Sequence, residues 1–150
     1  MARSLRNVIK FVTRTALFAS LVLSLMGARI SPQTLPPGIY ETSITEADIP
    51  PFFPPEAIPV LVGQWQIEFT EAGSYIVTKD GDVVIEGRYT SNPARVVLTD
   101  LDGPLACVGP GMATGVYAWS LDDDQLNLSV VRDGCAGRSL ILTAHPLQRL

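Results

Sequence analysis

Histidine is almost missing from this chain: His145 is the single one in 150 residues. That removes most histidine-based chemistry. A lone His beside Pro146 has no partner base or acid of its own kind, and a zinc site needs three or four close ligands. Cysteine is nearly as scarce, with Cys107 and Cys135 the only two. No Ser sits in a nucleophile elbow, and no Gly-rich loop follows a strand and opens a helix to cradle phosphate. Gly109 to Gly115, "GPGMATG", is Gly-rich but lies between strand-like runs beside a cysteine. No catalytic residue, metal site or cofactor is expected, and the chain reads as a non-enzyme.

Basic residues are also few once the start of the chain is set aside. Arg3, Arg6, Lys10 and Arg14 precede Thr15 to Ala28, "TALFASLVLSLMGA", which carries no charge. A basic stretch followed by an apolar run of this length has the form of a secretory signal. The run is shorter than the roughly 20 residues that span a bilayer. Residues 1–28 are therefore expected to be removed after Gly27 or Ala28, the alternative being an uncleaved N-terminal anchor. Arg29 stands where a lipidated Cys would have to be, which excludes a lipoprotein. Beyond residue 28 seven bases face fifteen acids, a net charge of −8. Such a surface repels phosphate backbones, so nucleic acid is not an expected partner. The expected location is secreted or periplasmic, with membrane contact only through an uncleaved signal. In that setting an even pair of cysteines reads as a Cys107–Cys135 disulfide.

Residues 29–62 form a Pro-rich N-terminal segment with eight of the twelve prolines. Gly38 to Thr45, "GIYETSIT", is one possible strand. Thr45 is a candidate N-cap for a helix that Pro50 cuts short, and "PPEAIPVLV" has room for one helical turn. From Gly63 the texture changes. Short alternating runs are separated by turn residues: "GQWQIEFT", "YIVTK", "VVIEGRYT", "ARVVLT", "VYAWSL", "QLNLSVV" and "SLILTAH". Asp80-Gly81 suits a tight hairpin. Seven short strands at 8–12-residue spacing, eight with "GIYETSIT", predict an all-β fold: an antiparallel up-and-down β-barrel over residues 63–150.

The first of these runs carries Gly-x-Trp, "GQW" at 63–65. With the meander that follows, and with "EGRYT", "LACVG", "GVYAWSL" and "RDGCAGRSLIL", the chain over about residues 38–150 resembles the exported bacterial lipocalin-like barrels of the calycin group. The resemblance implies that Trp65 plugs one end and that a late basic residue stacks on its indole. Arg149 is the matching candidate and Arg138 the runner-up. It also implies a small apolar or amphipathic ligand. The alternative is an exported interaction protein, such as a protease inhibitor, with a solid core and a threading tail near residues 29–37.

An eight-stranded barrel either fills with side chains or holds one small ligand. The expected inner face runs through Trp65, Ile67, Phe69, Tyr75, Val77, Ile85, Gly87, Tyr89, Tyr117, Trp119, Leu121, Leu126, Leu128, Val130, Leu140 and Leu142. Within it Tyr75, Tyr89, Tyr117 and Trp119 are the expected ligand-binding residues, because each pairs a ring with a polar handle. The mouth opposite Trp65 should then be open and bordered by Glu71, Ser91, Asn92 and Asp122 to Asp124. Asp100 and Asp102 have the first spacing of a calcium loop but no later Glu, and read as turn acids.

Overall fold

The computed structural model describes residues 34–150. The signal-like segment and residues 29–33 lie outside the described residues. The described chain closes into an antiparallel barrel whose eight strands follow one another in sequence order around the ring. They are β1 (Gly38–Ile44), β2 (Gly63–Phe69), β3 (Ser74–Lys79), β4 (Asp82–Ser91), β5 (Arg95–Asp102), β6 (Thr114–Asp122), β7 (Gln125–Arg132) and β8 (Leu147–Arg149). Closure is made by β8, which pairs Arg149 with Tyr40 on one side and Leu147 with Leu126 on the other.

Period-two alternation explains most of the ring. Trp65, Ile67 and Phe69 are buried while Gln64, Gln66 and Glu68 face water. Asp80 and Gly81 both take positive φ, 52° and 95°, as a tight hairpin requires. The Pro-rich connection between β1 and β2 holds 3₁₀ turns at Glu46–Asp48 and Pro55–Ala57, then helix α1 (Ile58–Leu61). Thr45 caps the first turn, and the Asp48 carboxylate accepts both its N–H (2.8 Å) and its hydroxyl (2.7 Å).

One expected strand is a helix. The first five residues of the run "SLILTAH", 139–143, lie in α2 (Ala136–Thr143), and the closing strand is the short segment after Pro146. A continuous apolar run does not by its pattern separate a buried strand from a buried helix. The buried members of α2 are Arg138, Ile141 and Leu142, the spacing of a helix face.

Helix α2 sits over the end of the barrel that holds Trp65. Three strands adjust there. The pairing skips Val84 in β4, Leu101 in β5 and Val131 in β7, each near that rim. Bulges bend a strand and raise its twist, so the wall turns where the helix must be covered. Val130, expected inside, is exposed (47 %) because the β6–β7 ladder breaks beside it. The inner faces otherwise meet in one core, which Val96 and Leu98 of β5 complete.

Candidate functional sites at the two ends of the barrel

At the Trp65 end the chain buries a charge network. Arg138 leaves α2 and enters the barrel with its side chain 4 % exposed. Its Nη1 meets Asp100 Oδ1 at 2.8 Å. Its Nε and Nη2 grip both oxygens of Asp133 at 2.7 Å. The remaining donors go to the carbonyls of Ala113 (3.0 Å) and Met112 (2.7 Å). Four of the five guanidinium N–H groups are thus hydrogen-bonded, and Nη1 is also in ion-pair contact with Asp100. Neither carboxylate side chain is exposed. The Tyr75 hydroxyl donates to Asp100 and the Tyr117 hydroxyl to Asp133.

Glycines make room for this. A Cβ on Gly87 would stand 2.4 Å from the Tyr75 ring, and one on Gly115 would stand 2.4 Å from Asp133 Oδ2. Burial alone would push the Asp133 carboxyl up. The Arg138 fork, the Tyr117 hydroxyl and the Cys135 N–H outweigh it and hold the group below the usual carboxylate range. Burial and then the neighbouring carboxylates push the phenols of Tyr75 and Tyr117 well above theirs.

The disulfide joins the same network. Cys107 and Cys135 are bonded, with Cα atoms 6.1 Å apart. The Cys107 N–H donates to Asp100 (2.8 Å) and the Cys135 N–H to Asp133 (2.7 Å). Each half of the bridge is therefore tied to one of the two acids that hold Arg138. Asp100, considered above as a turn acid or calcium ligand, is committed here instead.

Trp65 is 1 % exposed, and its Nε1 donates to the Leu61 carbonyl at 2.9 Å. Its cation is Lys79, 6.0 Å from the ring centre. Arg149 is not the partner. It lies 6.0 Å from the Tyr40 ring at the other end, because β8 pairs with the start of β1 rather than its finish. The runner-up, Arg138, spends its guanidinium on the two acids.

Between α1, the β5–β6 connection and α2 lies a groove of about 330 Å³. Val60 and Leu61 form one wall, Leu105 and Met112 another, and Ala136 and Ile141 the third, with Trp65 among the lining residues. The disulfide cysteines line it too.

Deeper in, the space enclosed by Ile67, Tyr75, Val77, Ile85, Leu98 and α2 is about 20 Å³, room for about one water. Phe69 fills the barrel beyond it, 4.9 Å from the Tyr89 ring, 5.9 Å from Tyr40 and 6.2 Å from Tyr75. The four expected ligand residues are not gathered around one pocket. Tyr75 and Tyr117 serve the charge network. The Tyr89 hydroxyl donates to Thr70 O and the Trp119 Nε1 to Asn92 O, both at 2.8 Å, at the opposite end.

That opposite mouth is closed. Residues 34–37 cross it from β1 to β4, which stand three places apart in the ring of eight. Leu35 is 1 % exposed, and its N–H donates to Ser91 Oγ at 2.9 Å. The Tyr40 hydroxyl donates to Pro36 O and Arg149 Nη2 to Pro37 O, each at 2.9 Å. The mouth expected to be open is thus strapped by a segment that the alternation of the strands does not reveal.

The charge network was the least legible feature. The hint lay in "RDGCAGR", where Asp133 and Arg138 flank a cysteine, and in Asp100 before the other cysteine. Among the described residues no helix is long and apolar enough to cross a membrane. No family model matches the chain, and neither a curated protein nor a solved structure matches it.

Proposed function

We propose that the protein is an exported, lipocalin-like, non-enzymatic barrel that binds a small apolar or amphipathic ligand in the groove at the Trp65 end. The observation that carries this is the apolar groove itself, about 330 Å³, beside an interior cavity with room for about one water. A volume of this order suits a small molecule. The site is rigidly framed, since the disulfide and the Arg138 network hold two of its walls. The Arg138 charge is already met by Asp100 and Asp133 and is not offered to an anionic head group, so the ligand is neutral or cationic. The disulfide and the basic-then-apolar start support export. The acidic net charge argues against nucleic acid.

The filled interior also favours the second reading, an interaction protein acting through its surface. Phe52 is 72 % exposed on the Pro-rich connection and would be its natural contact. A tail threading a protease site would have to leave out Leu35 to Pro37, which are engaged at the mouth.

Titration of the exported protein with N-phenyl-1-naphthylamine, a neutral fluorescent probe, separates the two. Stoichiometric, displaceable binding is expected, lost in Ala136→Trp, which places an indole in the groove from an exposed position, and kept in Tyr89→Phe. Absence of binding, or binding unaffected by Ala136→Trp, would leave the surface-acting reading.

A further inference from the structure

The strap across the far mouth is held as a ligand is held. We infer that this mouth is a peptide-binding site for an extended segment of the form apolar residue–Pro–Pro, occupied in cis by the chain's own Leu35-Pro36-Pro37. The site is at the opposite end from the groove and does not depend on it.

Four observations carry the inference. Leu35 is a side chain in a pocket, buried to 1 % although it lies outside every strand and helix. The groups that hold the strap recognise main chain: Ser91 of β4 accepts the Leu35 N–H, while Tyr40 of β1 and Arg149 of β8 donate to the carbonyls of Pro36 and Pro37. These partners need only an apolar side chain followed by two prolyl carbonyls. The strap is also pre-formed, since Leu35 and Pro36 each precede a proline and are driven to extended or polyproline geometry. Such a segment loses little entropy on docking and offers its carbonyls outward, the mode by which Pro-rich peptides are read against aromatic and donor-lined surfaces. Finally, the strap joins β1 through Gly38, whose φ of +152° side-chain-bearing residues rarely adopt. A turn there lets the strap leave without unpairing β1. The chain itself repeats the form in Ile49-Pro50-Pro51 and Phe53-Pro54-Pro55.

An external peptide must compete with the cis strap, whose effective concentration is on the order of millimolar. Weakening the strap should therefore reveal the site. The probe is Ac-Gln-Thr-Leu-Pro-Pro-Gly-NH₂, the strap's own sequence, with Ac-Gln-Thr-Ala-Pro-Pro-Gly-NH₂ as control, measured calorimetrically on the full chain. Leu35→Ala should bind the probe at least about tenfold more tightly than the unsubstituted protein and should not bind the control. Adding Arg149→Ala should weaken that binding about fivefold, the loss of one hydrogen bond. If Leu35→Ala does not fold, amide exchange of Leu35 in the unsubstituted protein replaces it: saturating probe should accelerate exchange and the control should not. A folded Leu35→Ala that ignores the probe, equal binding of probe and control, or unchanged Leu35 exchange under saturating probe would each overturn the site.

Discussion

The two ends of this barrel are closed by different physics. At the Trp65 end a disulfide, a buried guanidinium and two buried carboxylates are wired together, and each cysteine N–H rests on one of the acids. At the other end one leucine and three hydrogen bonds from uncharged or half-exposed groups hold a strap of four residues. Buried charge is costly to desolvate and costlier to leave unpaired, so the first end has one permitted arrangement and a steep penalty for any other. The strap carries no such penalty. Its release exposes one apolar side chain and frees groups that water can satisfy. The rigid end is suited to framing a groove, and the soft end to exchanging its occupant.

The sharpest way to break the contrast is to remove the guanidinium. Arg138→Ala leaves Asp100 and Asp133 buried and unpaired and should destabilise by about 3–5 kcal/mol in chemical denaturation. A loss below about 1 kcal/mol would mean that water already reaches the acids.

Opening the disulfide tests the covalent half. Cys107→Ser with Cys135→Ser should cost about 3.5 kcal/mol on the chain-entropy estimate for a loop of this separation. Intact mass with a thiol reagent checks the premise, since the folded protein should present no alkylatable thiol.

Low pH should also loosen the charged end first. Asp133 titrates below its unfolded value in the folded protein, so its contribution is complete above about pH 4 and drains as pH falls through the lowered value. Tyr75 and Tyr117 are raised, so theirs is complete below about pH 10 and drains as pH climbs toward the raised values. The two tryptophans report the ends separately. In Trp119→Phe the fluorescence of Trp65 should change before global unfolding as pH falls, and in Trp65→Phe that of Trp119 should follow only with it. Simultaneous transitions would show that the two ends open as one unit.

The smallest effect concerns a pair that the Gly-x-Trp pattern puts together and the fold puts apart. Trp65→Ala should cost about 3–5 kcal/mol and Arg149→Ala far less, and the two should add to within about 0.5 kcal/mol, since they share no partner. A larger coupling energy would place Arg149 nearer the indole than its position on Tyr40 allows.

Alternation in the sequence determined the barrel. Period-two patterns, Asp80-Gly81 and evenly spaced turns name seven of the eight strands and place Cys107 and Cys135 in loops of one end, because strand patterning and hairpin chemistry are local properties. The turn capped by Thr45 was equally local. What only the tertiary structure decided were the features that depend on distant partners. "SLILTAH" is apolar enough for either element and is helical because Arg138 must reach Asp100 and Asp133 while Ile141 and Leu142 cover the same end. Leu35 is core because β4 offers it Ser91 from across the mouth, fifty-six residues away. The ring of tyrosines that looked like a ligand cage is a set of donors whose acceptors, Asp100, Asp133 and Thr70, no short window of sequence brings together. Long-range pairing of polar groups is set by where the backbone closes, and closure here came from three residues after a proline.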